Sequence, residues 1–434
     1  MNRRTSRLLT VATVALVAGG LPGADVAPAA ACSVRFTRVA DTTPVLPETM
    51  TAQGQSYSRH QYGDLDAGGA ATTFAVGSVT YKGPRTDPET GETTIQDLGY
   101  IPLAARWDGA TWSQSPIVGG DRTGQFRGVD AVAPDDAWAV GRSEPGHALF
   151  AHWDGSTWTR YSTPTASVVD ASFGPAETWT ATAGSEYYEL SAVDMLASDD
   201  GWAVGNPHAF ETPPRILHWD GVAWLSDPIG EAAASHVNPL AIDPRLTDVA
   251  VASGPSGAEV FVAGQRYDET VGQSRAFVLH RTEDGWARMA TPDAPAGSVS
   301  EWSALTAITA TAPDDVWAVG TWEPIGGGQQ PMSLHYDGNA WTARDVAARG
   351  YGALVDVDSL ATVGQTTAWA TGYQEPNRRG PFGLFSQLST SGATTATPPD
   401  ALGAVAIESP TRGWAVGGDH YDTDRPILYR IRTC

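Results

Sequence analysis

Positive charge is scarce in this chain: 27 Lys and Arg stand against 49 Asp and Glu, and Lys82 is the single lysine. The formal charge of −22 would repel polyanions, which excludes nucleic acid and anionic membrane surfaces as partners. Cysteine is nearly absent, with only Cys32 and Cys434. Beyond the N-terminus there is no apolar run long enough to cross a membrane. Long helices are excluded too, because 47 glycines and 30 prolines interrupt the chain throughout. The sequence holds no G-x-S-x-G nucleophile elbow, phosphate-binding loop or dinucleotide fingerprint, and no H-x-x-H or calcium-loop spacing of metal ligands. No cofactor is expected. What the chain does have is 41% apolar residues and sixteen tryptophans, the composition of a globular protein.

The N-terminus reads as a secretory signal peptide over residues 1–31. Arg3, Arg4 and Arg7 form its basic region, Leu8 to Ala18 its apolar core, and Ala29-Ala30-Ala31 its small-residue cleavage site. Arg3-Arg4 also suits a twin-arginine route, although Thr5-Ser6-Arg7 lacks the apolar residue expected after the pair. The expectation is a secreted, extracellular protein with one domain over 32–434. Cleavage would leave the two cysteines at the two ends. An isolated pair in an oxidising compartment usually bonds to itself, so a Cys32–Cys434 disulfide is expected. Its geometry requires the chain ends to lie within roughly 7 Å. A lipid-modified Cys32 is the rival reading, but Ala29 stands where a lipobox has leucine.

A repeat organises the rest. Phe74-Ala75-Val76-Gly77 returns as W-A-V-G or a close variant ending at Gly141, Gly205, Gly264, Gly320, Gly372 and Gly417. Each copy follows a short alternating apolar stretch and a turn such as Pro134-Asp135-Asp136. Downstream comes H-W-D-G-x-x-W or a variant, seen at Trp107 and Trp112, Trp153 and Trp158, Trp219 and Trp224, and Tyr336 and Trp341. Asp-Gly between aromatic-rich runs signals a hairpin with a type I′ turn. Each unit thus has four short strands, and seven such units make a β-propeller. The seventh lacks its fourth strand, and Val34 to Val39 resembles the outer strand around Trp158. The expected fold is all-β: a seven-bladed β-propeller of four-stranded antiparallel blades, its ring closed by an N-terminal strand and the disulfide. The run from Val169 to Trp179 reads as an extra hairpin in preference to an eighth blade.

The W-A-V-G and H-W-D-G-x-x-W patterns resemble those of secreted actinobacterial β-propeller proteins of the kelch and galactose-oxidase-like group, over residues 34–434. The W-D-G-x-x-W part is also similar to the hairpin of seven-bladed bacterial propeller lectins, which implies carbohydrate binding. Galactose oxidase uses a copper site with tyrosine, cysteine and histidine ligands. With both cysteines in a bridge, that chemistry does not carry over.

Residues outside the repeat are the candidates for function. Trp302 and Trp322 flank the fifth inner and second strands and are expected to stand together on the face where the loops after strand two emerge. Paired aromatics there suit stacking on sugar rings. Glu323 opens the loop after Trp322. Arg378 and Arg379 form a basic pair that, with Arg266 and Arg425, would hold a carboxylate or an acidic sugar. Asp268, Glu269, Glu375, Asp422 and Asp424 are further acids on that face. His152, His218, His280 and His335 recur at one position and read as structural. Asp135-Asp136, Asp199-Asp200 and Asp314-Asp315 read as turn-setting acids. The leading functional expectation is a non-catalytic, monomeric recognition module for a glycan or an extracellular protein. The alternatives are a secreted polysaccharide hydrolase or lyase, and a structural cell-surface protein.

Overall fold

The computed structural model describes residues 34–39, 54–119, 123–144, 146–162, 188–207, 214–234, 245–362, 365–375, 381–418 and 426–433. Its strands form seven sheets, six of four strands and one of five. The inner strands are Ser56–Gly69, Gly124–Ala133, Tyr188–Ala197, Arg245–Gly254, Ser300–Ala312, Tyr351–Thr362 and Ala401–Ser409. We number blades 1 to 7 in that order. Within each, successive strands pair antiparallel, as the Asp-Gly and Pro-Asp-Asp turns require. Blade 2 departs from four strands because Ile117–Val118 adds in parallel beside Trp158. Among the described residues one short helix, Pro228–Ala234, follows blade 3. The architecture is that of a β-propeller.

The outer strand of blade 7 comes from the other end of the chain. Arg35–Val39 pairs antiparallel with Ile427–Arg432, Arg35 lying opposite Arg432. Blades 7 and 1 also pack together, with Trp414 4.9 Å from Trp107 and 5.1 Å from Trp112 between ring centroids. Cys32, Cys434, the signal-peptide residues and the run from Val169 to Trp179 lie outside the described residues.

The W-A-V-G motif has a definite physical basis. In every blade the inner strand carries a bulge at one position, shifting the register between Tyr62 and Asp64 in blade 1 and between Leu305 and Ala307 in blade 5. The bulge pushes inner-strand backbone toward the motif glycine. A Cβ on Gly77 would lie 2.0 Å from the Gln61 carbonyl oxygen, and one on Gly320 2.1 Å from that of Ala304. Glycine is therefore required by close approach of backbone. The motif aromatic fills the gap to the next blade: Phe74 meets Trp153 and Trp158, and Trp138 meets Trp219 and Trp224.

Two turn assignments need correction. Trp107 pairs with Trp112 and Trp219 with Trp224, so four residues span the hairpin where a type I′ turn has two. The glycine takes positive φ (+95° at Gly109), and the aspartate fixes the loop through its side chain: Asp108 Oδ1 accepts from the Ala110 and Thr111 N–H groups. These hydrogen bonds hold the Asp108, Asp220 and Asp337 carboxyls below the usual range, and Asp154 at about 2. The second acid of each first-turn pair bonds a side chain: Asp136, Asp200 and Asp315 accept from His152, His218 and His335, at 2.8–2.9 Å.

Candidate functional site

The inner strands surround a central cavity of about 380 Å³, and every blade contributes to its wall. Seven aspartates line it. Asp64, Asp248 and Asp356 sit opposite the third residue of the W-A-V-G motif or its equivalent; Asp66, Asp130, Asp194 and Asp358 sit two residues further on, opposite the motif aromatic. Their side chains share one bonding pattern. One oxygen accepts a backbone N–H from the next blade: Asp64 from Val129, Asp66 from Ala131, Asp130 from Met195, Asp194 from Val251, Asp248 from Ile308, Asp356 from Val405 and Asp358 from Ile407, at 2.6–2.9 Å. In Asp64, Asp248 and Asp358 the other oxygen accepts the N–H of the following residue. An inner strand has a free edge with unpaired donors, and these carboxylates satisfy it from the neighbouring blade. Between blades 5 and 6, Thr309 and Ser359 hydroxyls meet at 2.8 Å instead.

Among the described residues the cavity wall holds no Lys, Arg or His. Burial without a counter-ion disfavours the charged carboxylate. Burial raises the Asp64 and Asp248 carboxyls well above their usual range, and Asp356 adds repulsion at both. Burial pushes Asp356 up to about 6; burial and the Asp66 charge push Asp358 up to about 8. No cluster of three or more His, Cys, Asp or Glu among the described residues has metal-site geometry.

The top face, where the loops after strand two emerge, holds the candidates from outside the repeat. Register separates the two tryptophans. Trp302 lies opposite Glu323, and Trp322 opposite Ser303, so their side chains leave blade 5 on opposite faces. Trp322 packs into the cluster between blades 4 and 5, with Leu305 and Tyr336. Trp302 and Glu323 face blade 6, on the same side as Val319, which packs with Leu354 and Leu384 of blade 6. There Glu323 Oε1 accepts from the Gly328 N–H at 3.2 Å, and Gly328 abuts the ring of Tyr351. Tyr351 is 54% exposed. The structure thus brings Glu323 and Tyr351 to Gly328, with Trp302 opposite Glu323 on the same face, and puts Trp322 on the other face. Tyr351 is absent from the repeat and was missed in sequence because it opens an inner strand, where no motif marks it.

Arg266 stands in blade 4 directly opposite Arg275. Its charge falls on Asp268, Asp293 and Arg288. Arg378, Arg379 and Arg425 lie outside the described residues, as do Asp422 and Asp424. The four repeat histidines stack on the motif aromatic of their own blades, at 4.2–4.8 Å, and hydrogen-bond an acid. His60 is buried within the first inner strand.

No family model and no curated protein matches the chain. Solved structures similar to it are β-propellers at low identity. One is YCF48 bound to D1 peptide, 14% identical, covering 88% of this chain and 97% of that one at TM-score 0.45. Another is a fucose-specific lectin of Aleuria aurantia in complex with Fucalpha1-6GlcNAc, 11% identical over 70% and 90%, TM-score 0.42. A third is a polysaccharide lyase, an ulvan lyase, 11% identical over 87% and 96%, TM-score 0.47. Function has to be argued from this chain's own residues.

Proposed function

We propose that the protein is a secreted, non-catalytic recognition module whose top face binds a carbohydrate between blades 5 and 6. The observation that carries this reading is the grouping of Trp302, Glu323 and exposed Tyr351 beside the Gly326-Gly327-Gly328 loop. Two aromatic side chains offer apolar faces, and a carboxylate beside them accepts hydroxyl hydrogen bonds. The richest set of acids, in the central cavity, is already engaged in holding blades together. The test is a glycan array probed with the protein and with Trp302→Ala and Tyr351→Ala variants. Binding is expected, with a loss of about tenfold or more in either variant. Trp322→Ala is unsuitable, since that ring fills the core. Failure of the wild type to bind any glycan would overturn the reading.

The raised carboxyls of Asp356 and Asp358 favour a second reading, a polysaccharide hydrolase or lyase. A carboxyl near 6 to 8 can act as a general acid at neutral pH. Release of reducing or unsaturated ends from polysaccharides, lost in Asp358→Asn, would support it.

The same proposal includes cleavage after Ala31, a closed seven-bladed ring and a Cys32–Cys434 bond. Its support is the pairing of Arg35 with Arg432, which brings the strand ends within a few residues of both cysteines. Cys434→Ser is expected to cost about 2–5 kcal/mol and lower the melting temperature without changing the circular dichroism spectrum. An unchanged melting temperature would count against the bridge.

A further inference from the structure

Six of the seven junctions between blades are filled in one way. The third-strand residue paired just before the motif aromatic is Trp107, Trp153, Trp219, Tyr336, Leu388 or Ile431, according to blade. Each packs toward the motif aromatic of the preceding blade: Trp219 lies 4.8 Å from Trp138, Tyr336 6.1 Å from Phe261, and Leu388 and Ile431 share clusters with Trp317 and Trp369. Blade 4 is the exception. Arg281 takes this position, its guanidinium 5.0 Å over the Trp202 ring. Trp286 of the outer strand still meets Trp202, but the ring that four of the other six blades carry at this position is missing.

An open groove of about 410 Å³ lies there, with Trp202, His218 and Arg281 in its wall. Small-molecule sites span roughly 300–1,000 Å³. The surrounding chain is acidic: Asp200, Glu259, Glu283 and Asp284 line the same groove against one arginine. The turn of the next blade, Pro255, Ser256 and Gly257, closes one side of the groove.

We propose that this groove, on the face opposite the top loops, receives a peptide segment carrying an aromatic side chain flanked by Lys or Arg. The aromatic ring stacks on the outer side of the Arg281 guanidinium, which itself covers Trp202 where other junctions place a ring. The flanking cations meet Glu259, Glu283 and Asp284 at the mouth. The molecule itself displays the ligand's shape at its other junctions, and the carboxylates set the ligand's charge. This site is independent of the glycan reading.

The probe is Arg-Trp-Arg amide, titrated calorimetrically into the full protein beside Arg-Ala-Arg and Glu-Trp-Glu amides. The basic aromatic peptide is expected to bind about tenfold or more tightly than either control. Arg281→Trp supplies the missing ring from within and is expected to abolish binding while raising the melting temperature. If that variant fails to fold, Arg281→Leu, which copies the leucine that blade 6 carries at Leu388, makes the same test. The Glu283→Gln, Asp284→Asn double variant keeps the groove and is expected to weaken binding several-fold, with a shallower salt dependence. Equal binding of the alanine control, or full binding by the filled variant, would overturn the proposal.

Discussion

Gly320→Ala is expected to destabilise the protein by about 3 kcal/mol or more, enough to remove much of a typical domain's stability. The added Cβ would stand 2.1 Å from the Ala304 carbonyl oxygen and 2.8 Å from the Leu305 Cα. Both are backbone atoms, held by strand pairing on one side and by the next blade on the other, so neither can yield through a rotamer change. The inner strand must shift outward, and that shift breaks its packing against blade 6. The control is Gly403→Ala, at the bulge of blade 7, where a Cβ meets nothing within 4 Å. That change should fall within about 0.5 kcal/mol of wild type. Chemical denaturation of the three proteins checks the pair. Similar midpoints for both variants would show that the motif glycine is not fixed by close approach.

The contrast between those two glycines shows what the sequence could disclose. A residue that every blade needs recurs, so W-A-V-G, the H-W hairpin and the missing seventh outer strand were all legible as a fold. The bulge beneath the motif was not, because Gly63, Arg127, Ser191, Thr247, Thr306, Val355 and Gly403 share no single residue type. The channel acids were half visible. Asp66, Asp130 and Asp194 each precede the motif aromatic by eight residues, a constant spacing inside an otherwise apolar strand. Period-two alternation alone cannot tell a channel-facing position from a solvent-facing one. Pairing of Trp302 with Trp322 failed for a related reason. Proximity in sequence across a hairpin brings two strands together, but register decides which face each ring takes. Tyr351 joins the site only through the third dimension.

The central carboxylates should make the protein more stable in mild acid than in mild alkali. In the unfolded chain an aspartate titrates near 3.9. In the folded chain Asp64 and Asp248 are raised, Asp356 lies at about 6 and Asp358 at about 8. Between these limits the folded state binds more protons than the unfolded one, so stability falls as pH rises. The contribution is complete below the unfolded value and is lost as pH climbs through about 6 and then about 8. Two pH units of displacement are worth roughly 3 kcal/mol, more than a surface ion pair contributes. The hairpin aspartates act in the other sense: Asp108, Asp154, Asp220 and Asp337 are lowered, and their contribution disappears only as pH falls below the usual carboxylate range. The melting temperature should therefore peak near pH 4 and decline from pH 5 to pH 9. Asp358→Asn removes the group that titrates at the highest pH. Its amide oxygen can still accept the Ile407 N–H, while its amide nitrogen opposes the Ser359 N–H that the carboxylate accepts. That variant should begin less stable at pH 5 and lose less on going to pH 9. A melting temperature that stays level or rises from pH 5 to 9 would mean the ring holds its full charge, and that water or bound cations share the channel with it.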